Sequence, residues 1–285
     1  MTGAVLDARG RTAGRANGVS DGLAGPAVAE GTRDPGEALP SVVRVGTLHT
    51  VGLGPGDPEL LTLKAARVLS EAAAVAFFCQ RGRAGHARTI AAPHLRAGVE
   101  EERLDYPFTT ELAVDDPRYL LEMGEFYEAC AARITRRLSA GQDVALLCEG
   151  DPFFYGSAMY LFDRLRGRFP AEVVPGVTGM SGCWTRAMLP MLHGDDVLAV
   201  LPGTLDAAAM RARLCGCDAA VIMKVGRNLP KIRTALEQAG MAARAVFVER
   251  GTMADERVRP LCDVGADERA PYFSLVLVPG RQRAR

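Results

Sequence analysis

The chain carries no net charge: 34 lysines and arginines balance 34 aspartates and glutamates. Without a basic excess there is no general electrostatic attraction to nucleic acid or to an anionic membrane, and neither is expected as a partner. No apolar run approaches the roughly 20 residues that a helical span needs; the stretch 72–78 suits a buried strand. The seven cysteines (Cys79, Cys130, Cys148, Cys183, Cys215, Cys217 and Cys262) are odd in number, scattered and mostly set in apolar segments. That argues against a disulfide framework and for the reduced core thiols of a cytoplasmic protein. Cys215-Gly216-Cys217 lacks the spacing and second ligand pair of a zinc site, and the four histidines show no metal-ligand spacing, so no protein-bound metal is expected.

A phosphate cradle is also missing. Gly52-Leu53-Gly54 follows an apolar run, as a nucleotide-binding turn would, but Pro55 removes a backbone donor and Asp57 brings a carboxylate to the place a phosphate would occupy. The same design recurs at Glu149-Gly150-Asp151-Pro152 after the run 144–148. In both, Asp is expected as a helix N-cap and Pro at the first helical position. Either Asp-Pro pair alone could be only a helix start. Two such turns, each with glycines that permit close backbone approach, favour a pocket at the ligand end of an α/β sheet. Its acidic lining suits a neutral or cationic ligand.

Residues 1–41 are rich in Gly, Ala, Arg and Asp, without aromatics or periodicity, and are expected to be a disordered extension with no secretory signal. Residues 42–172 are expected as an N-terminal α/β domain and 173–285 as a C-terminal one, with a cleft between them. In the first, strands are expected over 45–53, 74–78 and 144–148, helices over 58–70 and 118–139 and after Asp151, and a basic loop over 80–88. The stretch 173–178 reads as the crossover. In the second, strands over 197–201, 219–224 and 245–249 alternate with helices over 206–214 and 229–240. Two further strands, 256–264 and 272–278, follow with no helix between them and are expected to pair antiparallel.

Four segments in this order carry a resemblance. They are Val51-Gly52-Leu53-Gly54-Pro55-Gly56-Asp57, Glu149-Gly150-Asp151-Pro152, Pro175-Gly176-Val177-Thr178 and Glu249-Arg250-Gly251-Thr252. Together they resemble the tetrapyrrole (corrin and porphyrin) methyltransferases, S-adenosylmethionine (SAM) enzymes with two α/β domains and no Rossmann-type SAM fold. The similarity runs over roughly 45–279. It is strongest to members that methylate the C-20 meso carbon, through Phe153-Phe154-Tyr155-Gly156-Ser157, Pro202-Gly203-Thr204, Met223-Lys224-Val225-Gly226-Arg227-Asn228 and Pro271-Tyr272-Phe273-Ser274. Members that make siroheme's precursor carry an acid just after the third strand; this chain has Phe78-Cys79-Gln80 there. A base role tied to that acid does not transfer.

The resemblance implies SAM as methyl donor and a reduced tetrapyrrole as substrate, metal-free or already holding cobalt, with a non-catalytic tetrapyrrole carrier as a remote alternative. It implies a homodimer. It places SAM against Pro55, the backbone of Glu149, Gly150 and Asp151, then Phe154, Tyr155, Thr178, Gly179, Val225 and Gly251. The ring's carboxylates call for Arg and Lys. Arg81, Arg83, His86 and Arg88 are the densest basic group, with Lys224 and Arg227 as a second set, and Tyr106-Pro107-Phe108-Thr109 as an aromatic wall. Singly, each of these charges could be a solvated surface residue. The proton acceptor is left unassigned.

Overall fold

The computed structural model describes residues 44–108, 116–265 and 268–281. The expected extension 1–41 and Thr109 lie outside the described residues. What is described falls in one unit, Val43–Arg285, built on two five-stranded sheets.

The first sheet holds β1 (Leu48–Gly52), β2 (Ala74–Gln80), β3 (Glu100–Tyr106), β4 (Val144–Cys148) and β5 (Ala171–Val174) in the order β3-β2-β4-β1-β5, all parallel. Strand alternation splits its core in two. Val144, Leu146 and Cys148 pack with α3 (Pro117–Ser139) and α4 (Ala158–Leu165). Ala145 and Leu147 pack on the other face, with α1 (Leu63–Glu71) and α2 (His86–Ala91). The long helix α3 is capped by Asp116, which accepts from the Arg118 N–H, has Pro117 in its first turn, and stops before Gly141 at φ 79°.

Several expectations in this half are corrected. Asp57 caps only a 3₁₀ turn, Pro58–Leu60; α1 starts later, where the Thr62 hydroxyl accepts from the Ala65 N–H. Asp151 caps no helix, because α4 begins only at Ala158. The basic stretch is not all loop, since α2 opens at His86. Strand β3 went unread because Glu100-Glu101-Glu102-Arg103 has no apolar alternation. It is an edge strand paired with β2 alone, tied to α3 by Arg133 and Arg137, which donate to Glu102 at 3.0 and 2.7 Å. The expected boundary at 172/173 falls inside β5, so Val173 and Val174 close the first sheet and the crossover begins at Pro175.

The second sheet runs β6-β7-β10-β8-β9, from β6 (Leu198–Pro202), β7 (Ala219–Met223), β8 (Val246–Glu249), β9 (Arg257–Pro260) and β10 (Ser274–Val278). Helices α6 (Ala207–Cys215) and α7 (Leu229–Gln238) cover one face, and α5 (Gly179–Arg186) packs on the other. The expected pairing of the last two strands does not form. Strand β9 returns beside β8, and β10 inserts antiparallel between β7 and β8. Burial explains the exchange: all five residues of Ser274–Val278 are buried and take the centre, whereas Arg257-Val258-Arg259-Pro260 suits an edge. Among the described residues no helix is long and apolar enough to cross a membrane.

Candidate active site

Strands β1 and β4 are neighbours, yet the helices that follow them, α1 and α4, lie on opposite faces of the sheet. That reversal opens a crevice at the strands' carboxyl ends, the usual ligand position in open α/β sheets. The turns after β4, β1 and β5 meet there through their glycines. Gly150 N–H donates to the Gly54 carbonyl at 2.7 Å, and Gly54 N–H returns a bond to the Gly150 carbonyl at 3.3 Å. A Cβ on Gly176 would stand 2.1 Å from the Gly150 oxygen, so only glycine allows the three turns to close. Asp151 fastens them: Oδ1 accepts from Phe153 N–H at 2.9 Å and Oδ2 from Gly176 N–H at 3.1 Å.

The second sheet reaches the same point. The Asp57 N–H donates to Thr252 Oγ1 at 3.2 Å. Pro55 lies against Gly182 of α5, where a Cβ would come within 2.6 Å of its ring, and Gly251 lies equally close to Cys183. Four non-glycine residues of these turns adopt left-handed backbone: Tyr155 (φ 57°), Lys224 (φ 55°), Arg250 (φ 49°) and Thr252 (φ 71°). Such conformations cost on the order of 1–3 kcal/mol each and cluster where structure serves a ligand. Two side-chain contacts join the halves. Lys224 Nζ sits 5.0 Å from the centre of the Tyr155 ring, and His86 meets Phe273 edge to face at 4.7 Å.

The residues expected around SAM gather at this meeting of turns, with one qualification: Val225 is buried in the core of the second sheet, so only its backbone is available. Thr178 caps α5 by accepting from Ser181 N–H, and Gly179 fronts open space, since a Cβ there would touch nothing within 4 Å. Open space at a helix start, backbone donors and nearby carboxylates fit a zwitterionic sulfonium better than a polyphosphate. The basic group divides. Arg81 and Arg83 are exposed in the turn after β2 and His86 faces Phe273, but Arg88 is held by Glu101 of β3 at 2.8 Å. Lys224 and Arg227 are exposed. Tyr106 stacks on Phe78 at 5.2 Å beside Phe126 and Tyr127, while Phe108 contacts Tyr119 instead.

Glu149 differs from three other glutamates, each of which an arginine holds. Glu102 is bound by Arg133 and Arg137, Glu249 by Arg259, and Glu256 by Arg186. Partial burial would raise Glu102, but its two arginines hold it below the usual carboxylate range. No lysine or arginine pairs with Glu149 among the described residues; its Oε1 accepts from Ala87 N–H at 3.0 Å. Burial therefore pushes its carboxyl above the usual range, against the pull of backbone N–H groups and of His86. The sequence reading used only its backbone. It also passed over Gly182 against Pro55, Thr252's bond to Asp57 and Asp151's bond to Gly176, which are contacts across chain distance that no local pattern announces.

The family profile described as Tetrapyrrole (Corrin/Porphyrin) Methylases matches residues 47–263. A precorrin-2 C(20)-methyltransferase of Sinorhizobium sp is 53% identical over 240 residues, covering 84% of this chain and 98% of that protein. A cobalt-precorrin-2 C(20)-methyltransferase of Salmonella typhimurium is 30% identical over 237 residues, 82% of this chain and 96% of that one. Among solved structures, uroporphyrin-III C-methyl transferase from Thermus thermophilus, complexed with S-adenyl homocysteine, matches with a TM-score of 0.59 and 27% identity. That alignment covers 82% of this chain and 92% of the other.

Proposed function

The chain belongs to the tetrapyrrole (corrin/porphyrin) methylases, and from that premise we propose that it methylates precorrin-2 at C-20 with SAM, giving precorrin-3A in cobalamin biosynthesis. The observation that carries this reading is the 53% identity spread over 98% of the precorrin-2 C(20)-methyltransferase, against 30% for the cobalt-precorrin-2 one. Bound SAM supplies an activated methyl group on a cationic sulfur, and the meso carbon of the ring is enamine-like and nucleophilic. The protein's share is to hold carbon, methyl and sulfur in line, a contribution of up to about 7–11 kcal/mol.

In this reading the backbones of Glu149, Gly150, Asp151, Val225 and Gly251, with Pro55, Phe154, Tyr155, Thr178 and Gly179, hold the donor. Arg81, Arg83, His86, Lys224 and Arg227 bind the ring's carboxylates. Arg88 drops out of that set because Glu101 already occupies it. The division of the described chain into two α/β domains, a homodimeric state, a cytoplasmic location and independence from nucleic acid belong to the same proposal. The two five-stranded sheets support the first of these and the balanced charge of the chain the last.

The test is a methyl-transfer assay with metal-free precorrin-2 and its cobalt-loaded form in parallel, read by mass and carbon-13 NMR. One methyl at C-20 of the metal-free ring is expected. Preference for the cobalt form would move the enzyme to the cobalt-loaded substrate, and methylation of neither would overturn the reading.

A further inference from the structure

We propose that the Glu149 carboxylate is the proton acceptor in the methyl transfer. This rests on the C-20 methylation reading above. The methylated carbon must lose a proton, and none of the residues placed above around the donor or the ring carboxylates has that task. Glu149 stands at the carboxyl end of β4, next to Gly150 and Asp151, in the crevice where the turns of both sheets converge. Its contact with the start of α2 sets it beside His86, which meets Phe273 of the second half. Of its two oxygens, Oε1 takes the Ala87 N–H. Among the described residues no lysine or arginine pairs with the group, unlike Glu102, Glu249 and Glu256. A carboxylate kept free of ion pairs and short of water at a ligand crevice is a better base than an exposed one.

The step balances as follows. The π pair at C-20 forms the new carbon–carbon bond while the carbon–sulfur bond breaks and its pair goes to sulfur. The C-20 proton then passes to Glu149, and the pair it leaves restores the ring double bond. The products are the methylated ring, S-adenosylhomocysteine and one proton, released later from the carboxyl to water.

Glu149→Gln keeps an oxygen for the Ala87 N–H and removes the base. We expect kcat to fall by at least about 100-fold, with KM and the SAM dissociation constant within about threefold of wild type. With substrate deuterated at C-20, the isotope effect on kcat should rise in the variant, because proton removal becomes limiting. A role confined to structure would change affinity and leave that isotope effect unmoved.

A second measurement needs only the wild type. Its kcat should fall as pH drops through a value above the ordinary carboxylate range. The neighbours that bear on the carboxyl are His86 on α2, Cys148 on β4, Tyr106 at the end of β3 and Tyr272 before β10. Burial keeps the Cys148 thiol neutral, pushed up to about 12, and the same limb persisting in His86→Gln would assign it to Glu149. A Gln variant with wild-type kcat, or a wild-type rate flat through that range, would overturn the proposal while leaving C-20 methylation intact. A wild-type enzyme that leaves C-20 unmethylated would overturn both.

Discussion

The two Asp-Pro turns share a sequence signature and do different work. Asp57, after β1, caps one 3₁₀ turn by accepting from Glu59 N–H at 2.9 Å. Asp151, after β4, spans 25 residues to hold Gly176 N–H as well as Phe153 N–H. The first is local, and the turn it sits in is fixed to the second sheet by its backbone, through Thr252. The second is a tertiary clamp that fastens the turns after two strands flanking β1. An Asp-Pro pair announces a turn; only the fold decides whether its carboxylate serves that turn or another.

Four substitutions sharpen the contrast, taken from the largest expected effect down. Gly176→Ala would place a Cβ 2.1 Å from the Gly150 oxygen, against backbone that cannot move alone. It should cost about 3 kcal/mol in urea unfolding and abolish SAM binding by calorimetry. Asp151→Ala removes two backbone bonds to a carboxylate. About 2 kcal/mol is expected, with SAM affinity reduced at least about tenfold. Normal SAM affinity in that variant would show that the clamp does not shape the cofactor site.

Glu102→Gln, on the scaffold side of the same sheet, should lose about 1 kcal/mol and leave kcat unchanged. Its arginines depress the folded-state pKa, so its contribution is present above the unfolded value and is lost as pH falls through the folded one. Thermal melts between neutral and acid pH should show wild type and variant converging at the acid end. Asp57→Ala should be smallest, about 0.5 kcal/mol, with SAM affinity within about threefold. An effect as large as that of Asp151→Ala would erase the distinction between the turns.

Much of the first sheet was legible because local rules coincide there. A continuous apolar run marks Val144–Cys148, as a strand buried on both faces requires, while Asp116-Pro117 and Gly141 bracket α3. The four motif turns were legible for the same reason, as glycine and proline fix backbone geometry close at hand. Three things were not. The acidic first half of strand β3 is held by its ladder to β2 and by arginines 31 or more residues away. Strand β10 takes the centre of its sheet by burial, which loop length does not encode. Glu149 stands apart only when it is seen that no lysine or arginine among the described residues pairs with it, and its charge looks ordinary in the sequence. Arg88 shows the reverse, a basic residue grouped by sequence with Arg81 and Arg83 yet held by an edge strand.

The account's central claim is that the turns after β4, β1 and β5, with residues 224–225 and 251–252, form the methyl donor's site. A crystal structure of the enzyme grown with S-adenosylhomocysteine tests it directly. Density between Gly150, Gly179 and Gly251, with Val225 offering its backbone, is the predicted result. Density anywhere else on the molecule would contradict it.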